Sequence, residues 1–162
     1  MYRTAAGAVA AFVLLLPAGT AAADPVAPQA DTPCPADAVG AMTWTADAKM
    51  PLICAGGPSG GQWQTVATPA PPSDRWLSVG PAMTLHGEGR RNPDVRSGDW
   101  TATPRNADTR CRVEQSTVIG PGVVDTPEIT EGPAGQRLEV QIAPRLFDLT
   151  LSGDCLWTRT SG

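Results

Sequence analysis

Lysine, histidine, tyrosine and phenylalanine are almost missing from this sequence. Lys49 is the one lysine and His86 the one histidine, and Tyr2, Phe12 and Phe147 complete the tyrosine and phenylalanine count. A single histidine argues against a His-rich metal set, and because none precedes Ser59, the chymotrypsin-type order of catalytic residues cannot be assembled. Close C-x2-C pairs are also lacking, so the four cysteines do not read as zinc ligands. Basic residues are outnumbered 12 to 16 by acidic ones, for a net charge of −4. That balance lacks the basic footprint of a nucleic-acid binder and the polybasic cluster that holds a protein on an anionic membrane. Sustained helical periodicity is absent throughout, which excludes a helical bundle.

The first segment present is a leader. Arg3 supplies a positive start, Ala8 to Leu16 an apolar stretch, Pro17 and Gly19 a break, and Ala21-Ala22-Ala23 the small residues before a cleavage point. Residues 1–23 therefore read as a secretory signal peptide cleaved before Asp24. Their apolar run is shorter than the roughly 20 residues that span a bilayer, so no stable membrane insertion is expected after cleavage. Removing residues 1–23 from 162 leaves 139, the size of one ordinary domain. Arg3 is the only charge lost, and the five tryptophans, Trp44, Trp63, Trp76, Trp100 and Trp157, then carry nearly all the aromatic packing. No lipoprotein cysteine stands at the cleavage point.

Four cysteines in an exported chain point to two disulfides. Of the three pairings, Cys34–Cys54 and Cys111–Cys155 are expected, since each pair lies within its own compositional block.

Residues 24–33, rich in Ala, Pro and Asp, read as a disordered tether. Residues 34–68 read as a small disulfide-stapled β block, with one helical turn from Pro35, strands at Ala41–Thr45, Pro51–Ala55 and Gln62–Val66, and a flexible loop over Gly56–Gly61. Thr68 to Pro72 is a stiff linker. Residues 69–162 carry seven candidate strands separated by Gly/Pro turns, at Trp76–Val79, Ala82–His86, Asp99–Thr103, Arg110–Ile119, Arg137–Ala143, Leu146–Ser152 and Cys155–Thr158. Leu138, Val140 and Ile142 alternate with polar residues, as do Phe147, Leu149 and Leu151. Parity places Phe147, Cys155 and Trp157 in one core, with Cys111 and Val113 on a shared face opposite. The expected fold is mainly β: a small antiparallel β-sandwich or barrel-like domain preceded by the stapled block. No Trp lies between Cys111 and Cys155, which argues against the immunoglobulin variant.

Chemistry-bearing motifs are few. Gly57-Pro58-Ser59-Gly60-Gly61 is a literal G-x-S-x-G, but the residues after it do not form the helix a nucleophile elbow needs. A serine hydrolase using Ser59 with Asp74 and His86 is the remotest reading. Glu128 with Glu131, or Asp94 with Asp99, would make a glycosidase pair only at separations that sequence does not show. His86, Glu88, Arg90 and Arg91 form a candidate recognition loop for an anionic or carboxylate group. At least four of the five tryptophans are expected to fill the core; an exposed one would suit a sugar ring or a binding hot spot.

Gly98-Asp99-Trp100, Cys111-Arg112, the alternating Leu138 to Ile142, Phe147, and Gly153-Asp154-Cys155-Leu156-Trp157 together resemble small exported actinobacterial proteins, mycobacterial ones in particular. In these a G-x-Y/W strand leads to a first cysteine, then an alternating strand and a closing G-x-C-x-W. Arg112-Val113 departs from the aromatic that usually follows the first cysteine. The resemblance implies a secreted disulfide-linked β-domain and transfers no chemistry. With no nucleophile–base set, metal cluster or cofactor fingerprint, the sequence reads as a non-catalytic binding or interaction module of the cell envelope or extracellular space, without cofactor. The alternative is a secreted hydrolase inhibitor presenting Gly56–Gly61 and Leu85–Asn92.

Overall fold

A computed structural model describes residues 26–79 and 82–161. The signal-peptide reading of residues 1–23, and the Gly/Pro turn expected between the Trp76–Val79 and Ala82–His86 strands, lie outside the described residues. In chain order the strands are β1 (Pro33–Cys34), β2 (Met42–Trp44), β3 (Pro51–Gly57), β4 (Gly60–Thr65), β5 (Arg75–Ser78), β6 (Met83–His86), β7 (Gly98–Pro104), β8 (Arg112–Gly120), β9 (Val123–Val124), β10 (Glu128–Glu131), β11 (Leu138–Ile142), β12 (Leu146–Ser152) and β13 (Cys155–Ser161). A single 3-10 turn, Ala36–Ala38, stands between β1 and β2.

Two sheets pack face to face. The larger runs β1-β4-β3-β2-β5-β13-β7-β11, and the smaller runs β10-β8-β12-β6 with β9 hairpinned onto β8. Neighbours are antiparallel except at β2–β5, which meet in parallel at Met42 and Trp76. This is a sandwich, with no closed barrel among the described residues.

Period-two alternation explains how the larger sheet buries both faces at its centre. Trp76, Cys155 and Trp157 point into the core between the sheets, against Leu85, Leu149 and Leu151 of the smaller one. Their chain neighbours Leu77 and Leu156 point the opposite way, into a second cluster with Cys34, Leu52, Cys54 and Trp63. The boundary expected at 68/69 is thus a change of cover, since strands on both sides of it share one sheet.

Both expected disulfides form. Cys34–Cys54 staples β1 to β3, and Cys111–Cys155 ties the start of β8 to β13 and so links the two sheets. Gly153, in the bend before Cys155, has φ +91°, and a Cβ there would collide with the Arg110 carbonyl. Only glycine fits that turn.

Three expectations are corrected. Of the tether assigned to 24–33, the end is held: Asp31 N–H donates to the Trp63 carbonyl at 2.7 Å, Trp63 N–H to the Thr32 carbonyl at 2.9 Å, and Pro33–Cys34 pairs with β4. Backbone pairing at a sheet edge needs no apolar side chains, so composition did not register it. Gly56–Gly61 is a tight hairpin rather than a flexible loop. Gly56 pairs with Gly61 and Gly57 with Gly60, leaving Pro58-Ser59 as the turn, and side chains at Gly56 or Gly61 would run into the facing backbone. Phe147 does not share the core with Trp157. The pairing of β12 with β8 shifts register between Leu146 and Asp148, which buries Leu146 and turns Phe147 outward.

Candidate functional site

Trp63, Trp76, Trp100 and Trp157 are buried. Trp44, the last residue of β2, is half-buried. It sits there because β2 ends at the sheet rim and the chain turns back at Thr45 to Met50. The Thr45 hydroxyl donates to Asp47 Oδ1 at 2.6 Å, and Lys49 N–H adds a second bond, which together hold the Asp47 carboxyl below the ordinary carboxylate range. One side of the Trp44 ring is covered by Trp76, with centroids 6.4 Å apart and planes at 20°.

His86 ends β6 across from this rim, and the chain then loops out and returns through Asp94. The loop is pinned to β12: Gly87 N–H donates to the Phe147 carbonyl at 3.0 Å and Gly89 N–H to the Leu146 carbonyl at 2.6 Å. Asp94 closes it, accepting the His86 backbone N–H at 2.8 Å while its own N–H returns to the His86 carbonyl at 2.9 Å. His86 Nδ1 lies 3.7 Å from the same Asp94 oxygen.

Two neighbouring clefts share Trp44, His86 and Asp94 in their walls. The larger, about 330 Å³, continues over Thr43, Thr45 and Thr84. The smaller, about 250 Å³, is floored by Pro51, Pro69 and Ala70 and rimmed by Arg91 and Asn92. An aromatic wall, an apolar floor and a rim holding both donors and acceptors make up the usual composition of a small-ligand site.

The candidate recognition loop divides. His86 and Arg91 face the clefts, and Arg91 is exposed. Glu88 is instead turned to the Ser97 N–H at 3.0 Å. Arg90 donates to Asp148 Oδ1 at 2.6 Å and lies over the outward-turned Phe147 ring at 4.7 Å. Four residues expected to gather on an anion are thus two cleft residues and two structural ones.

Ser59, Asp74 and His86 are not brought together by any hydrogen bond or ion pair among the described residues. Ser59 occupies the β3–β4 turn, followed by a strand where an elbow requires a helix. Asp74 is held by Arg96 at 3.0 Å and Arg159 at 3.8 Å. Glu131 pairs with Arg110, and the Asp99 carboxylate accepts from Ser161. Among the described residues no group of three His, Cys, Asp or Glu side chains is placed to hold a metal ion.

Two further features lie away from the clefts. Asp154 sits beside Arg105 beneath the N-terminal segment, and burial raises its carboxyl above the ordinary range despite the cation 3.7 Å away. On the β8–β9 hairpin, Ile119 and Val123 stand exposed, with Val124 beside them and Ile129 on β10.

Sequence reasoning did not single out Trp44 or Asn92, and it weighed Asp94 only as a glycosidase partner of Asp99. Trp44 differs from the four core tryptophans only in closing a short strand before a turn. No protein-family model, curated protein or solved structure matches the chain.

Proposed function

We propose that this chain is an exported, non-catalytic binding module and that the paired clefts around Trp44 are its ligand site. The observation that carries this reading is the convergence of a half-buried tryptophan, the lone histidine and an exposed arginine on one concavity, while the other four tryptophans are buried. Aromatic and arginine side chains grouped in this way are the common anchors of binding sites. Export is supported by the leader-like residues 1–23 and by two disulfides, which persist in oxidising compartments. No helix of the described residues is long and apolar enough to cross a membrane.

The test immobilises the mature chain and exposes it to separated glycan, lipid and protein fractions of a bacterial envelope. Retention from one fraction that is lost in Trp44→Ala and Arg91→Ala supports the reading. Equal retention by all three proteins, or none from any fraction, removes it. A second reading, an inhibitor of a secreted hydrolase, is supported by the rigidity of the Leu85–Asn92 loop, pinned to β12 with Arg91 projecting from it. A panel of proteases and muramidases whose rates do not change on adding the protein discards it.

A further inference from the structure

We infer that the ligand of the paired clefts is a neutral glycan, seated with a pyranose ring against Trp44 and its hydroxyls on the rim residues Arg91, Asn92 and Asp94. This names the ligand class for the site proposed above and rests on that reading.

Charge balance decides against an anion. Of the cations in the candidate loop, Arg90 is committed to Asp148, and His86 faces the Asp94 carboxylate that already accepts its backbone N–H. Among the described residues that leaves Arg91 as the one uncommitted cation on a rim that also carries Asp94, so a charged group gains little there. The larger cleft mixes Ala46, Ala48, Val79 and Met83 with Thr45, Thr84, His86 and Asp94, so an aliphatic tail laid along it would cover polar groups that it cannot pair. A proline-rich peptide docks in a groove between aromatic ridges, and among the described residues Trp44 is the only aromatic side chain apart from His86 in either wall.

A sugar matches what is present. The indole face carries negative quadrupole density that attracts the weakly positive C–H face of a pyranose ring. Sugar hydroxyls donate and accept at once, so they need partners of both kinds close together. Arg91 donates, Asp94 accepts and Asn92 does both. Two adjoining clefts that share Trp44, His86 and Asp94 give room for consecutive sugar units rather than one isolated ring.

The experiment is isothermal titration of the mature chain with short neutral oligosaccharides of the malto, cello and manno series. A sulfated oligosaccharide and an oligoproline peptide serve as comparison probes, each at low and high salt. The expected result is saturable, salt-independent binding of at least one neutral series, weakened tenfold or more in Trp44→Ala and several-fold in Arg91→Ala. Arg91 is exposed, so its variant keeps the test valid if loss of Trp44 disturbs folding. Binding of the sulfated probe alone, abolished by salt, or of oligoproline alone, overturns the glycan assignment while leaving the cleft as the site. Neutral-glycan binding unchanged in both variants also overturns it, by moving the contact elsewhere. No binding of any probe overturns it together with the site.

Discussion

Removal of the Cys111–Cys155 disulfide should cost more global stability than removal of Cys34–Cys54. Both bridges are buried, with Cys111 and Cys155 at 0% exposure and Cys34 and Cys54 at 4% and 1%. Loss of buried sulfur therefore penalises both pairs alike, by about 1 kcal/mol per sulfur. The difference arises elsewhere. The bridges close separations of 44 and 20 residues, which on the chain-entropy treatment is worth about 4.0 and 3.3 kcal/mol respectively. More important is what each one joins. Cys111–Cys155 links the two sheets beside Trp157, so its loss acts on the whole cooperative unit. Cys34–Cys54 fastens the N-terminal cover, which can fray locally while the sandwich stays folded. The Cys111→Ala/Cys155→Ala protein is expected to lose about 6 kcal/mol, comparable to the entire stability of a small domain, and to be largely unfolded at moderate temperature. The Cys34→Ala/Cys54→Ala protein should keep a cooperative melt and near-ultraviolet signal, with new proteolytic cleavage confined to residues before β2. Thermal melts, limited proteolysis and non-reducing peptide maps read all three quantities. An equal or larger global loss from the Cys34–Cys54 pair refutes the reasoning.

Other outcomes follow from individual residues. Gly153→Ala forces a side chain onto the Arg110 carbonyl at a positive φ and should destabilise by about 2–4 kcal/mol in urea unfolding; a change near zero would show that the bend relaxes freely. Burial raises the Asp154 carboxyl, so the folded state holds that proton more tightly than the unfolded chain, and its contribution to stability is lost as pH rises through the folded value. Asp154→Asn should therefore gain melting temperature relative to wild type on going from strongly acid to neutral pH, and a constant offset across that range would contradict this. The exported protein should begin at Asp24 by N-terminal sequencing, and recovery of the uncut chain would contradict the leader reading.

Much of the sandwich was legible because alternation survives wherever one face of a strand is buried and the other wet. Leu138 to Ile142 and Leu146 to Ser152 carry that signal, and the cysteine parity at Cys111 and Cys155 followed from it. Where a strand is held by backbone alone, the signal vanishes. Pro33–Cys34 and Val123–Val124 are two residues long, and Glu128–Glu131 lies on an edge with little to bury. The bulge beside Phe147 is invisible for another reason: one extra residue inverts the parity of what precedes it without changing composition. The site was legible only in part. His86 and Arg91 stood out by rarity and charge, but the pairing of Arg90 with Asp148 spans 58 residues of sequence, and Asp94 gained its role from the return of a loop. Trp44 looked like any core tryptophan until the rim of the larger sheet placed it at two clefts.

The central claim, that Trp44 and its neighbours form the ligand site, is tested most directly by nuclear magnetic resonance. The chain has five tryptophans and thus five indole N–H signals to follow during titration with neutral oligosaccharides. The account predicts that the Trp44 signal moves furthest, together with backbone amides of His86 and Arg91, while Trp63 on the opposite face of the sheet stays still. Shifts centred on Ile119 to Val124, or on Trp63, with Trp44 unmoved, would contradict it.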